Sequence, residues 1–547
     1  MAQPASHGAH YRVTPAHGMV EAPKSADAPA LAELTERIAA FLADHPAAAL
    51  LEEGKLLFDF RTARYSVEAE HGRCVLHLWS EDRNFIRRVV GITERKGALR
   101  LSVMRMGHAR PQTLELVPDR DRRQPSERDA TRTKYLHVLD RVFTRQFPEW
   151  KLDGLRTAMD LERSFGPAYA RGMHLRGTTA WAVIAVNAEE SQAIIDGILT
   201  LGVLWLHDCR ERNAGKRAIE GLRLVLPAGT SELTAARLAW MHAKAAKWEL
   251  YELDERNEEL WLRDPQDRGN LKTHLVHAPN AAAAQERFAA TMERVRAMMP
   301  ESFAAQMEVV IRSGSEVGFL WHGLEFARVR TELAANSFSR TEEITFGVGA
   351  SETALTEATE PALRELLQHL VNRRRPDGDK RDALYRLQPE RWLESGLRQS
   401  LDLIDPQLEP QPIYAQVPAF SAADRAVLDL LAVRRDGRLA VLELKAEEDL
   451  HLALQALDYW IRVRWHHTQN QDAAKTELQR FGYFAERTLA AEAPLLYLVA
   501  PSLRIHPATE AVLQYVSPDV DWTLVALDEH WREQVRVVYR KRRMKHA

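Results

Sequence analysis

The sequence has few cysteines, no long apolar segment and no pattern typical of a secretory signal at its start. Cys74 and Cys209 are its two cysteines and lie far apart, which argues against a disulfide framework and a cysteine zinc site. The best candidate for a membrane span, residues 194–206, contains Asp196 and falls short of the roughly 18 to 20 apolar residues that cross a bilayer. The N-terminus has no basic patch followed by an apolar core. We therefore expect a cytoplasmic protein with no membrane partner.

The chain also lacks the basic excess that is typical of nucleic-acid-binding proteins. It has 74 Lys and Arg against 77 Asp and Glu, a formal net charge of -3, whereas a basic surface is needed to displace counterions from phosphate. Basic residues are concentrated locally in residues 120–134, 373–381 and 540–545. Each of these segments is equally typical of a solvated linker or tail. The charge therefore neither identifies nor excludes a nucleic-acid partner.

Length and pattern predict a multidomain α/β (α+β) protein. The 547 residues are enough for about three or four domains of ~150 residues each. The predicted segments are a disordered tail (1–30), a small β-rich N-terminal domain with flanking helices (31–165), a middle α/β domain (166–370), a charged linker (371–384) and a C-terminal domain (385–547).

Local patterns support this division. Short alternating runs predict strands between residues 55 and 106, and the polar stretch 118–134 predicts a surface loop or linker. Gly215-Lys216 lacks the spaced glycine and the Ser or Thr of a phosphate-binding loop, so we interpret it as an ordinary loop. The middle domain alternates between strands and helices: strand 181–186, helix 190–209, strand 222–226, helix 234–247 and strand 249–253.

The most informative segment is residues 425–446, RAVLDLLAVRRDGRLAVLELKA. Two apolar runs flank Arg-Asp-Gly at 435–437, which predicts a β-hairpin with Gly437 at the left-handed position. A three-residue loop pairs 434 with 438 and therefore Asp429 with Glu443. A two-residue loop would pair Asp429 with Leu444 and put the two carboxylates on opposite faces. We predict the three-residue loop.

Charged residues interrupt both apolar strands of this hairpin. The second strand is apolar on both faces until Glu443 and Lys445, which is typical of a central strand covered on both sides, and Asp429 interrupts the first strand. Buried charges are expensive, so such residues are usually paired, bound to metal or catalytic. A buried salt bridge is the purely structural alternative. Two carboxylates and a lysine on one face would form an oxygen-ligand cation site beside an ammonium group.

Polar residues also lie on the helices predicted on either side of the hairpin. Gln455 and Tyr459 are four residues apart on the following helix and hence share a face. Glu390 and Glu394 join the apolar stripe of the preceding helix, residues 389–401, which is unusual for carboxylates. The predicted order in this domain is helix, three strands, helix, strand, helix, strand.

Residues 390–527 resemble the PD-(D/E)XK nuclease superfamily, most closely its NucS-like and RecB-like branches. These combine a glutamate on a first helix, an Asp on the second strand, Glu-x-Lys on the third, and Gln-x-x-x-Tyr on the next helix. The matching residues are Glu394, Asp429, Glu443, Lys445, Gln455 and Tyr459. The resemblance implies a restriction-endonuclease-like αβββαβ core with a mixed sheet. One departure is that the first strand has no second acidic residue for a metal.

The resemblance further implies a nuclease that depends on Mg²⁺ or Mn²⁺ and hydrolyses phosphodiester bonds, with DNA as the expected substrate in repair, recombination or defence. Asp429, Glu443 and the backbone carbonyl of Leu444 would hold the metal. Lys445 would position a water molecule or stabilise charge on the phosphate. Glu394 would contact the metal through water.

In the same interpretation, Gln455 and Tyr459 would orient Lys445 or a phosphate oxygen, and a homodimer is a possible assembly. Two other hypotheses stay open. In the first, the C-terminal domain binds nucleic acid or a protein partner without cutting it, because a fold does not fix a function. Alternatively, the main activity would lie in residues 170–345, with the nuclease as an accessory.

Overall fold

The computed structural model of the chain describes residues 28–52, 55–60, 63–70, 73–79, 84–95, 97–104, 112–118, 123–160, 164–265, 271, 273–333, 340–348, 352–421, 427–468 and 475–543. The chain divides into two compact units, with the boundary after Asp129. Residues 1–27 of the predicted disordered tail lie outside the described residues, and residues 28–30 begin a helix. In the part of the chain that is described, no helix has the length and apolar character needed to cross a bilayer.

The first unit is an antiparallel sheet with one helix in its core. Its elements are α1 Ala28–Asp44, β1 Ala49–Glu52, β2 Lys55–Asp59, β3 Arg64–Glu70, β4 Arg73–Trp79, β5 Asn84–Arg95, β6 Ala98–Met104 and β7 Gln112–Val117. The strands lie in the order β2-β1-β7-β6-β5-β4-β3. Alternate residues of β6, among them Leu101 and Val103, are buried with Ile38 and Leu42 of α1. The predicted β-rich character of this region is confirmed.

A long helix replaces most of the loop predicted at residues 118–134. Helix α2 spans Arg123–Gln146, so the loop prediction is wrong from residue 123 onward. The Arg, Glu and Lys residues that suggested a loop are also good helix formers, and Pro125 stands in the first turn, where a backbone N–H has no helical partner. Leu139 and Phe143 in the later part of α2 are fully buried and hold this end of the helix in a core.

The second unit begins with a mixed six-stranded sheet in its described residues. Its elements after α2 are β8 Lys151–Arg156, β9 Tyr169–Arg176, β10 Thr179–Val186, α3 Gln192–Arg212, β11 Ala218–Pro227, α4 Glu232–Leu238, β12 Lys247–Asp254 and β13 Glu259–Arg263. The order is β13-β12-β11-β10-β9-β8, and β11 is parallel to both of its neighbours. The predicted alternation of strands and helices is confirmed. Strand β8 falls within the range predicted for the N-terminal domain, 31–165, but it pairs with β9 and therefore belongs to this sheet.

The helix predicted at 234–247 ends early, at Leu238. The following residues leave the helix to contact a distant part of the chain: the Trp240 carbonyl accepts a hydrogen bond from the Ser517 amide, and Met241 forms a β-bridge with Val516. This tertiary pairing overrides the helical pattern of the sequence.

An antiparallel sheet follows, covered by helices. The elements in chain order are β14 Thr273–Leu275, α5 Ala281–Ala297, α6 Glu301–Ala304, β15 Glu308–Ser313, β16 Glu316–Trp321, β17 Leu324–Leu333, β18 Arg340–Phe346, β19 Thr353–Ala354 and α7 Glu360–Arg373. Strands β15 to β19 lie in sequence order, whereas β14 pairs with a strand of the last sheet. Phe288 of α5 and Leu367 of α7 share a core with Phe319 and Phe326 of this sheet.

The segment predicted as a charged linker, residues 371–384, contains the fully buried Arg374. Its guanidinium donates hydrogen bonds to backbone carbonyls on two elements: Trp321 and His322 at the β16–β17 turn, and Leu384 and Leu387 beside α8 (Ala383–Arg386). Arg374 therefore fastens the β15–β19 sheet to the start of the C-terminal region.

The last sheet combines antiparallel and parallel strands. Its remaining elements are α9 Pro389–Arg398, β20 Tyr414–Ser421, β21 Val427–Val433, β22 Leu439–Leu444, α10 Leu452–Thr468, α11 Glu477–Arg480, β23 Leu495–Pro501, α12 Ala508–Gln514, β24 Asp521–Leu527 and β25 Val537–Arg542. The order is β14-β20-β21-β22-β23-β24-β25, with the β22–β23 and β23–β24 pairs parallel. Apart from the short α11, the order of elements from α9 to β24 is the predicted one. The chain is thus a mixed α/β protein with several sheets.

Strand β22 is the buried centre of this sheet. All six of its residues are buried. Leu442 shares a core with Leu393 of α9, and Val441 shares another with Trp460 of α10. Helices α9 and α10 therefore cover opposite faces, as the apolar character of the strand predicts.

The β21–β22 hairpin has the predicted three-residue loop. The amide of Arg434 donates to the carbonyl of Arg438 at 2.8 Å, and Leu430 pairs with Leu442. One step further in this register, Asp429 lies opposite Glu443. Gly437 has a φ of +85°, the left-handed conformation that closes such a loop.

Gly437→Ala should destabilise the protein because of both strain and a clash. An added Cβ would lie 2.6 Å from the carbonyl oxygen of Thr488, and the left-handed backbone alone costs about 1 to 2 kcal/mol for a non-glycine residue. Gly215→Ala is the matched control, because Gly215 has a φ of +72° and nothing within 4 Å of the added Cβ. We expect urea unfolding to show a larger loss for Gly437→Ala. Equal losses would contradict the packing of this turn.

Candidate active site

Two carboxyl groups face each other at the end of the hairpin. The Glu443 side chain is almost completely buried, and burial together with the charge of Asp429 raises its pKa well above 4.5. Burial also raises the pKa of Asp429, although the Leu444 amide, which donates to Asp429 Oδ2 at 2.8 Å, opposes this rise. Two adjacent buried carboxyls resist simultaneous ionisation and titrate as a pair.

Lys445 lies beside this pair and is surrounded by carboxylates. Its Nζ is 3.6 Å from Glu443, 3.7 Å from Glu390 and 3.7 Å from Asp449. Burial alone lowers the pKa of Lys445, but these three charges together raise it above 10.5. The lysine is therefore a fixed cation within the site and is not diverted to a partner elsewhere.

Glu394 approaches the pair through Gln416. The Gln416 amide nitrogen donates to Glu394 Oε2 and lies 3.5 Å from Asp429 Oδ1. Glu394 is 7% exposed and also accepts a hydrogen bond from Arg391 at 3.1 Å. Burial raises the pKa of Glu394, and Arg391 opposes that rise. Glu394 thus belongs to the same polar cluster but is separated from Asp429 by one amide.

Gln416 is a site residue that the sequence analysis missed. It lies opposite Asp429 in the β20–β21 register, between the pairs Ala415–Leu430 and Val417–Leu428. Its φ of +53° is rare for a residue other than glycine, and such strain is concentrated at functional sites. The sequence did contain an indication of this role: Gln416 is a polar residue in a largely apolar strand, the strand in which a second acidic metal ligand would be expected.

The helix after the hairpin brings Tyr459 near the pair. Burial, followed by the charges of Glu443 and Asp429, raises the pKa of Tyr459 well above 10. Gln455 has a buried Oε1 without a hydrogen-bond partner. The hydrogen bonds of the described residues join neither side chain to Lys445, so their role in orienting it stays a prediction.

The cluster carries an excess of negative charge when it is fully ionised. Two cationic side chains, Arg391 and Lys445, stand among five carboxyl groups: Glu390, Glu394, Asp429, Glu443 and Asp449. The sequence analysis gave no role to Arg391, Glu390 or Asp449, because their convergence depends on how α9 and the loop after β22 pack. Such an imbalance in a buried place favours binding of a cation or uptake of protons.

The donor set fits a hard divalent cation with few protein ligands. Oε2 of Glu443 is buried and has no hydrogen-bond partner, so one carboxylate oxygen is left for a ligand. Within the described ranges, no three His, Cys, Asp or Glu side chains are grouped so that they could hold a metal ion. Mg²⁺ typically uses one or two carboxylates and takes its other ligands from water and substrate phosphate. Asp429 and Glu443 meet that minimum.

Comparison with known proteins adds no further constraint. No protein-family model matches the chain, and neither a curated protein nor a solved structure matches it. The candidate site therefore rests on its geometry and chemistry.

Asp429→Asn should flatten the dependence of folding stability on pH. Because the pKa of Glu443 is higher in the folded than in the unfolded chain, its stabilising contribution is present at low pH and is lost as the pH rises through the folded value. Removing the charge of Asp429 lowers the pKa of Glu443 and reduces that loss. Urea unfolding between about pH 5 and pH 8, with EDTA present, measures the effect.

Asp436→Asn is the control for this experiment, because Asp436 is half-exposed in the turn at the other end of the same hairpin. It should keep the wild-type dependence on pH. If Asp429→Asn behaves like Asp436→Asn, the two carboxyl groups are not electrostatically coupled.

Proposed function

We propose that Asp429, Glu443 and Lys445 form the centre of a metal-dependent nuclease that hydrolyses phosphodiester bonds, with DNA as the expected substrate. The observation that carries the proposal is that the two carboxyl groups lie opposite each other in a buried sheet, beside a fixed ammonium group. The order of elements from α9 to β24 and the mixed sheet support a restriction-endonuclease-like core for this region.

Asp429, Glu443 and the backbone carbonyl of Leu444 would hold Mg²⁺ or Mn²⁺. When bound, the ion supplies Lewis-acid polarisation of a phosphodiester and lowers the pKa of a coordinated water. The Leu444 amide and Gln416 hold the Asp429 carboxylate in place. This pre-arranged set of oxygens is what a hard cation requires.

Lys445 would stabilise the negative charge that develops on the phosphate or position the attacking water. A fixed cation in a site that excludes water has its largest effect on charge formed in the transition state. Glu390 and Asp449 each lie 3.7 Å from the ammonium nitrogen. Lys445 therefore needs little reorganisation when a phosphate approaches.

Three further side chains would have supporting roles. Glu394 would contact the ion through a water molecule, because the Gln416 amide stands between it and Asp429. Tyr459 and Gln455 would orient Lys445 or a phosphate oxygen from α10, where the orphaned carbonyl oxygen of Gln455 provides a free acceptor.

The second candidate function is binding of nucleic acid or a protein partner without cleavage. It is favoured by one observation: the acidic residues form no three-membered metal-ligand group among the described residues. Binding that persists without product formation in the presence of Mg²⁺ would support it.

Asp429→Asn, Glu443→Gln and Lys445→Met should each lower cleavage at least ~100-fold, the size of effect seen when one transition-state donor is removed. The substrates are labelled single-stranded, double-stranded and branched DNA, and RNA, each with and without Mg²⁺ or Mn²⁺. Products are resolved on denaturing gels, and circular dichroism confirms that the variants fold.

Matched changes of exposed residues in the same region are the controls: Asp436→Asn, Glu533→Gln and Lys475→Met. They should cleave like the wild type. Metal-dependent cleavage at wild-type rates in all three site variants would refute the assignment.

Metal binding should also release protons. Burial raises the pKa values of Glu443 and Asp429, and the charge of Asp429 raises that of Glu443 further, so the incoming ion competes with any proton that the pair holds. Isothermal titration calorimetry with Mn²⁺, in two buffers of different ionisation enthalpy, counts the protons released. Glu443→Gln should abolish both binding and proton release, whereas tight binding without release would contradict the coupled pair.

A further inference from the structure

A large cavity opens beside the candidate site. It has a volume of about 1150 Å³ and lies between the β15–β19 sheet on one side and α9 with β20 on the other. Arg391, Glu394 and Gln416 line it, and these residues also belong to the candidate site. A ligand in the cavity would therefore lie next to the carboxyl pair.

The size of the cavity favours a single strand of nucleic acid over a duplex. The major groove of a B-form duplex is by itself about 12 Å wide, and a complete duplex contains two strands and both grooves. A cavity of about 1150 Å³ is far too small to enclose one. A single strand of a few nucleotides fits the space.

Four arginines line the cavity, but two of them are already neutralised. Arg312 and Arg328 each contact both Glu316 and Glu325. These two shared carboxylates, together with Glu352 at Arg328, balance the charge of both guanidinium groups, so this side of the cavity is poorly suited to bind the backbone of a nucleic acid.

The other two arginines, Arg391 and Arg398, lie on α9 and are less restrained. Arg391 contacts Glu394 at 3.1 Å, and Arg398 contacts Glu308 at 3.5 Å, each through a single guanidinium nitrogen. Both side chains are partly exposed, 37% and 28% respectively. Each therefore keeps donors that can bind phosphate oxygens.

The spacing of these two arginines matches a nucleic-acid strand. Arg391 and Arg398 are seven residues apart, which puts them on one face of α9, about 10.5 Å apart along its axis. A stacked strand advances about 3.4 Å per nucleotide. The two guanidinium groups are therefore placed for phosphates about three nucleotides apart, with Arg391 nearer to the carboxyl pair.

The walls of the cavity are fixed to each other. Gly323, in the β16–β17 turn, lies so close to α9 that an added Cβ would be 2.0 Å from the carbonyl oxygen of Arg391. Ser395 and Arg398 of α9 both contact Glu308 of β15. A cavity that exists before binding lowers the entropic cost of holding a flexible strand.

We propose that this cavity binds single-stranded nucleic acid and that Arg398 contacts a phosphate about three nucleotides from the one at Arg391, on the side away from the cleaved bond. The position of the cleaved bond rests on the proposed nuclease function. Binding of the strand does not, because Arg398 lies outside the predicted metal ligands.

Fluorescence anisotropy with EDTA present tests the proposal without any cleavage. The probes are fluorescein-labelled oligo-dT and oligo-U of roughly twelve nucleotides, within the usual range of single-strand sites, and a DNA duplex of equal length. We expect the wild type to bind a single strand more tightly than the duplex, and the two single-stranded probes distinguish DNA from RNA.

Arg398→Gln should weaken single-strand binding about tenfold and reduce the slope of log K against log salt by about 0.7, the value for one phosphate contact. Arg398→Lys should restore most of the slope because it keeps the charge. Arg364→Gln is the control, because Arg364 is exposed on α7 and away from the cavity lining. It should bind like the wild type.

Val310→Trp provides a second variant that keeps all charges. Val310 lines the cavity between Val309 and Ile311, which pack against the core of the β15–β19 sheet, and the larger side chain would narrow the cavity. We expect it to weaken binding of the single strand while the melting temperature stays near that of the wild type. A variant that does not fold leaves the Arg398 series as the test.

Two results would overturn the proposal: equal or tighter binding of the duplex, or an Arg398→Gln variant with wild-type affinity and salt slope. Failure of the nuclease function looks different, because binding would follow these expectations while no product forms with Mg²⁺. If cleavage occurs, Arg398→Gln should raise KM for the oligonucleotide.

Discussion

The mutual repulsion of Asp429 and Glu443 is the constraint around which the C-terminal region is arranged. Two carboxyl groups that share a buried place cannot both ionise unless other groups compensate them. The compensation comes from the Leu444 amide, the Gln416 amide and the Lys445 ammonium group. It is incomplete, since one oxygen of Glu443 has no partner. A site of this kind gains stability by binding a cation or retaining protons.

The hairpin shows how much of this site follows from local sequence. Gly437 requires the left-handed backbone that closes a three-residue loop, and a fixed loop length fixes every pair that follows it. Counting outward along two apolar strands was therefore enough to put Asp429 opposite Glu443. The helices and strands around the hairpin were likewise predictable, because each buries a continuous apolar face.

Other parts of the site depend on contacts between distant segments, and local pattern does not contain them. Gln416 gains its place from the β20–β21 register and from a left-handed backbone that no turn motif indicated. Glu390 meets Lys445 because α9 packs over the end of β22, whereas Asp449, four residues after Lys445, reaches it through the conformation of the loop after β22. The same limit explains Arg374, because its charge alone predicts a position in solvent, whereas its guanidinium donates to four backbone carbonyls.

The acidic character of the site bears on how a chain with a net charge of -3 would act on a polyanion. Five carboxyl groups would repel a phosphate if nothing neutralised them, and Lys445 is already shared among three of them. A divalent ion would change the sign of the interaction at the carboxyl pair, because it is attracted to both the protein and the substrate. Arg391 and Arg398 would then act on other phosphates of the same strand. In the proposed function, binding of the strand and activation of the cleaved bond are therefore separate. Arginines on one face of α9 bind the phosphate backbone, and the hairpin carboxylates hold the cation that allows the backbone to approach.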